Sequence, residues 1–149
     1  MYKHILIPTD GSALSDKAVE AAIKLAKLLG ARITAFHAME TYPLQGACAA
    51  EASGVAELQP EIFAERSEEY AKRVLDAVAR AAAAANVQCT TDHATSRSPS
   101  QAIIEKAGKE NCDLIVMASH GRRGLEGFLL GSETQKVLTH SSIPVLVYR

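Results

Sequence analysis

Residues 118–132 hold the most chemically suggestive spacing in this chain. They comprise Ala118, Ser119, His120 and Gly121, arginines at 122 and 123, glycines at 124 and 127, and the pair Gly131-Ser132. An apolar run, Leu114 to Met117, leads into them, and a helix start at Ser132 follows. A buried strand that opens into a glycine-rich loop and then feeds a helix N-terminus makes a seat for phosphate. Glycine lets the backbone approach an anion closely, and the first helical amides point at it with N–H groups that lack intrahelical partners. Ser132 adds a hydroxyl that can cap its own helix or be offered to a phosphate.

Asp10 is the second candidate. It stands in a polar loop, Thr9 to Ser12, directly after the apolar run Ile5-Leu6-Ile7 and Pro8. A carboxylate there can close an Asx turn on its own backbone or face a ligand where the strand ends. Other chemistries find less support. No Gly-Lys-Ser/Thr occurs, so there is no Walker loop, and no Gly-x-Gly-x-x-Gly follows the first strand. Ala118-Ser-His-Gly121 is not a nucleophile elbow. Ser119 and His120 are neighbours, but no carboxylate can be named to complete a triad. The 5 histidines are scattered without His-x3-His spacing, which argues against a metal site. His37, at a strand end, reads as a structural hydrogen bonder. The 3 cysteines, Cys48, Cys89 and Cys112, form no Cys-x-x-Cys and read as reduced thiols.

The elements that must position these groups follow from the apolar pattern. Ile5 to Ile7, closed by Pro8, is a short buried strand. A helix from about Ser15 to Leu29 carries Ala18, Ala22, Leu25 and Leu29 at helical spacing, and Gly30 stops it. Arg32 to His37 is a second strand. Thr41 to Gln59 shows no period and reads as a loop, either a lid or simply a connection. Pro60 to Asn86 is a long helix with proline in its first turn. Val87 to Ala94 is a third strand. Ser98 to Gln101 spells a capping box that opens a helix to about Asn111. Leu114 to Met117 is a fourth strand, Ser132 to Gln135 a second capping box with a helix to about Thr139, and Ile143 to Tyr148 the last strand.

Strands alternating with helices predict an α/β protein: a parallel sheet of five strands, covered on both faces by right-handed crossovers. Ligands of such sheets bind beyond the carboxyl ends of the strands, where the strand order reverses. If the first and fourth strands flank that reversal, Pro8–Ser12 and Ala118–Gly121 face one crevice. The length of 149 residues fits one domain over 1–149. Hydrophobic residues make up 48% and charged residues 22%, an ordinary globular balance. A net charge of −1 argues against broad nucleic-acid binding. No apolar run reaches membrane-spanning length and no signal peptide is visible, so no membrane association and a cytoplasmic location are expected.

With these residues assembled, the chain resembles the universal stress protein family over essentially its full length. The resemblance rests on Ile7-Pro-Thr-Asp-Gly-Ser12, on His37 closing the second strand, on Cys112-Asp-Leu-Ile-Val-Met117, and on Gly131-Ser132 with Ser142-Ile-Pro-Val-Leu-Val147. The family's ATP-binding members carry Gly-x2-Gly-x9-Gly-Ser/Thr. Gly121 matches the second glycine and Gly131-Ser132 the end, while Ala118 stands at the first glycine position. The resemblance implies a doubly wound, flavodoxin-like (adenine-nucleotide α-hydrolase-like) three-layer sandwich of strand order 3-2-1-4-5. It implies ATP in the crevice, with Mg²⁺ as the companion cation of a triphosphate, although no carboxylate cage for the ion is evident. It also implies a homodimer, for which the edge strand Ile143–Tyr148 is the natural contact. Carried over by position, Pro8 and Ala118 border the nucleotide and Asp10 lies near the ribose and adenine. Ala38 offers backbone groups to the adenine edge. Gly121, Gly131 and Ser132 hold phosphates, joined by the amide of Glu133. The implied function is a stress-response sensor or regulator with slow or no hydrolysis. The alternatives are a dimeric interaction protein that binds no nucleotide, and a weak ATPase.

Overall fold

The computed structural model describes residues 1–42, 59–121 and 130–149. The loop read at 41–59 lies mostly outside them. Cys48, Arg122, Arg123 and the glycines at 124 and 127 lie outside them entirely. The elements are β1 (His4–Pro8), α1 (Ala13–Leu29), β2 (Arg32–Glu40), α2 (Pro60–Ala84), β3 (Cys89–Ser96), α3 (Pro99–Lys109), β4 (Leu114–Ala118), α4 (Ser132–His140) and β5 (Val145–Tyr148). The five strands form one parallel sheet in the order β3-β2-β1-β4-β5, as the resemblance implied.

Every residue of β1 is buried. Alternation sends Ile5 and Ile7 to one face and Leu6 to the other. Ile5, Ile7, Ile33, Ala35, Leu114 and Val116 pack under α1 and α2 through Val19, Ala22, Ile23, Leu75 and Val78. Leu6, Phe36, Ile115 and Met117 pack under α3 and α4 through Ile103, Ala107 and Val137. Cys112 belongs to this second layer, and its burial, with Glu110 nearby, pushes its thiol up to about 11.

The element ends show which local signals decide. α1 begins at Ala13 rather than Ser15, because Ser12 caps it through a bond from the Ser15 amide. Gly30 closes it with φ 63°, where a side chain would be strained. β2 runs on to Glu40, paired with β3 as far as Ser96. β3 spans 89–96 rather than 87–94. The helices before β3 and β4 stop short of the expected ends because Asn86 and Asn111 turn left-handed, with φ 58° and 54°. Bonds from Val87 N to Ala82 O and from Cys112 N to Ala107 O seal those turns.

A polar thread crosses the sheet beneath α3. His4 Nε2 lies 2.8 Å from Thr34 Oγ1, which lies 3.0 Å from Thr90 Oγ1. His4 Nδ1 lies 3.1 Å from the Glu110 carbonyl and 3.1 Å from the Arg32 guanidinium. Burial, then the charge of Arg32, holds this imidazole below its ordinary 6.5. The unfolded chain therefore binds the proton more readily. The His4 contribution to stability is whole above 6.5 and is lost as the pH falls from there toward the folded-state value. Urea melts should show stability falling from about pH 7.5 to about pH 5.5, and His4→Gln should flatten that slope. An unchanged slope in the variant would contradict this account.

Candidate functional site

β1 ends at Pro8, and the loop that follows is held by groups from β2, α1 and α2. Thr9 N donates to Phe36 O on β2 at 2.9 Å, and His37 Nδ1 donates to Thr9 O at 2.7 Å. His37 is thus the structural hydrogen bonder the sequence suggested. Ser15 Oγ donates to Thr9 Oγ1, which also receives the Gly11 amide. Asp10 Oδ1 accepts from Ser12 N at 3.0 Å, closing the expected Asx turn. The Asp10 carbonyl accepts from Tyr70 Oη of α2 at 2.7 Å.

Gly11 has φ +73°, and a Cβ there would lie 2.6 Å from Tyr70 Oη and 2.8 Å from Val74 Cγ2. Both the backbone conformation and the close approach of α2 require glycine at this position.

The Asp10 carboxylate reaches across to the end of β4. A methyl on Gly121 would run into Asp10 Oδ2. Gly121 thus leaves room for this carboxylate where it stands, a role that its match to a phosphate motif did not suggest. The contact joins Pro8–Ser12 and Ala118–Gly121 at one crevice, as the reversal of strand order between β2-β1 and β4-β5 demands.

α4 is seated on the end of β4 by main-chain and side-chain bonds. Gly131 N donates to Ser119 O at 2.8 Å, and Thr134 Oγ1 donates to Ala118 O at 3.0 Å from a buried position. Gly131 itself is the N-cap, at φ −60° and ψ 148°, and Ser132 is the first helical residue. This corrects the capping box read at Ser132–Gln135: no side chain caps α4. Gly131 sits tightly against the end of β4: a Cβ would lie 3.1 Å from His120 Cα and 3.3 Å from Ser119 O, so a side chain there would need the loop to give by a few tenths of an ångström.

The box at Ser98–Gln101 is also corrected. Ser98 holds the N-cap position and Pro99 the first helical one, but no side chain of the box bonds back. Gln101 Nε2 turns to Glu105. Instead Glu133, from the first turn of α4, accepts from Ser100 N at 2.8 Å and from Lys136 Nζ at 2.7 Å. Burial opposes its charge, but these bonds outweigh it and hold the carboxyl below its ordinary value. The Glu133 side chain therefore points to α3, leaving its amide on the α4 end.

Ala38 pairs in register with Ala94 of β3. Two residues earlier, Phe36 directs its carbonyl to the β1 side. The two-residue period gives the Ala38 peptide groups the same direction, at a level where β1 has already turned away. Ser119 Oγ lies 3.2 Å from His120 Nδ1, so the pair does meet. Among the described residues, no group of three or more His, Cys, Asp or Glu is placed to hold a metal.

Tyr70 and Thr134 escaped sequence reasoning. Thr134 carries no signal beyond its place in a helix first turn. Tyr70 had a faint one, being aromatic at a seven-residue spacing from Phe63 in an otherwise Ala-rich helix.

The universal stress protein family profile matches residues 1–149. Universal stress protein MJ0531 of Methanocaldococcus jannaschii is 36% identical over 149 residues, covering 100% of this chain and 83% of its own. The solved structure of the protein MJ0577 superposes with a TM-score of 0.78 at 27% identity, covering 99% of this chain and 96% of that one. A universal stress protein solved in complex with cAMP superposes with a TM-score of 0.71 at 25% identity, covering 99% and 97%. The chain belongs to the universal stress protein family.

Two substitutions test this geometry by stability alone. Gly11→Ala should lower the unfolding free energy by about 1–3 kcal/mol, combining left-handed strain with displacement of Tyr70. Thr134→Val should cost about 1 kcal/mol for the lost buried bond to β4. Wild-type melting of either variant would show that these contacts do not hold the loop or the helix as described.

Proposed function

We propose that the crevice between the β1 and β4 ends binds an adenine nucleotide, ATP with Mg²⁺ as its companion, and that the protein acts as a dimeric sensor or regulator. The observation that carries this reading is the meeting of Asp10 with Gly121 at the switch point, directly beside the N-terminus of α4. A carboxylate accepts from sugar hydroxyls and repels phosphate, whereas a helix N-terminus attracts phosphate. The two lie side by side, as a nucleoside phosphate requires. The family relative in complex with cAMP supports the same class of ligand.

Asp10 then faces the ribose, the Ala38 peptide groups face the adenine edge, and Pro8 and Ala118 border the nucleoside. Gly121, Gly131 and Ser132, with the amide of Glu133, hold the phosphates. Ser132 is the first residue of α4, so its hydroxyl stands at the helix end where a phosphate would sit. The edge strand β5 forms the dimer contact: Leu146 is 41% exposed at the open side of the sheet. Hydrolysis is slow or absent, since no general base is positioned for it by the described residues. A second reading, a dimer that binds no nucleotide, is favoured by Ala118, whose Cβ stands where the family motif has glycine. No described helix is long and apolar enough to cross a membrane; a cytoplasmic location accords with the proposal.

Calorimetry with ATP should give a micromolar dissociation constant, about −8 kcal/mol. Gly131→Val should abolish binding, because the branched side chain enters the contact with His120 and unseats α4. A stable dimer without heat of binding for any adenine nucleotide would favour the second reading instead.

A further inference from the structure

We propose that Tyr70 is a positioning residue for sugar recognition: from α2 it fixes the Asp10 backbone and thereby aims the Asp10 carboxylate into the crevice. The inference rests on the nucleotide reading above. It concerns a residue 60 positions from Asp10 in sequence, on a helix outside the phosphate loop.

Contacts with described residues place the phenol. Its hydroxyl donates to Asp10 O at 2.7 Å. The same hydroxyl fills the space left by the missing Gly11 side chain. Its ring lies against His37, with centroids 5.6 Å apart and planes at 57°. The Arg73 guanidinium covers the ring at 5.0 Å. His37 in turn holds Thr9 O. Consecutive carbonyls, those of Thr9 and Asp10, are thus held by side chains from two different elements, β2 and α2. Each bond removes a rotation from the peptide units that carry Asp10.

The Asp10 carboxylate has little latitude. Oδ1 is committed to the Ser12 amide and Oδ2 lies against Gly121. A ribose hydroxyl bonds such a group well only if the carboxylate keeps its place, since a displacement of a fraction of an ångström degrades a charge-assisted hydrogen bond. Tyr70 supplies that constraint without touching the ligand. Loss of its hydroxyl should therefore weaken binding through the sugar specifically, while the phosphate seat on α4 is unaffected.

The test is calorimetry of wild type, Tyr70→Phe, Asp10→Asn and the double variant, each with ATP and dATP. Phenylalanine keeps the ring contacts with His37 and Arg73, so circular dichroism should show the fold retained. Wild type should prefer ATP over dATP by about ten-fold, the value of one charge-assisted bond. Tyr70→Phe should weaken ATP binding by about five-fold and move the ATP:dATP ratio toward one. Adding it to Asp10→Asn should change little further. Equal losses for ATP and dATP with an unchanged ratio would overturn the proposal, revealing a merely structural role. Wild-type affinities in Tyr70→Phe would overturn it as well. Failure of wild type to bind either nucleotide would instead remove the reading on which it rests, and the proposal with it.

Discussion

The molecule is organised by the complete enclosure of β1. This strand is bonded to β2 on one side and β4 on the other, and it is covered by α1 and α2 above and by α3 and α4 below. A backbone so enclosed satisfies its polar groups in the sheet ladder and can meet solvent only at its ends. The neighbouring crossovers leave in opposite directions, so a crevice opens at the carboxyl end. Past Thr9 N, which is bonded to Phe36 O, the loop at that end leaves the sheet ladder. It depends on His37, Tyr70, Ser15 and an Asx turn for bonds that the sheet no longer supplies.

That dependence explains the chemistry of the crevice. Among the described residues, its polarity comes from oriented groups. Asp10 brings acceptor character at the β1 side, and the Gly131 end of α4 brings donor character a short distance away. Glycines serve this arrangement sterically at Gly121 and Gly131, and conformationally at Gly11. Three glycines of one site thus answer two kinds of demand, space and, at Gly11, a left-handed backbone, which a motif written only in letters does not separate.

Much of the fold was legible because it is governed by local rules. The apolar runs at Ile5–Ile7 and Leu114–Met117, the stop at Gly30 and the start at Pro99 depend on neighbours in sequence, and the structure follows them. The Asx turn at Asp10 is equally local. What escaped was set by distant partners. Ser98 and Ser132 both look like caps, yet Glu133, 33 positions from Ser100, bonds the α3 amide. Gly131 takes the α4 N-cap because it is already tied to Ser119. Tyr70 sits in a helix whose apolar positions serve the layer beneath, and nothing in its immediate sequence points to the β1 loop. Asn86 and Asn111 ended their helices early through left-handed turns that asparagine tolerates and that the apolar pattern does not record.

The Glu133 carboxylate has a mechanical consequence. It grows from the first turn of α4 but is bonded to the first turn of α3. This bond ties the first turns of two helices that also pack together through Ile103, Ala107 and Val137. A shift of α4 along the sheet therefore strips the Ser100 amide of its partner, so a displacement of the glycine seat is felt at the start of α3, on the opposite face of the sheet from α1 and α2.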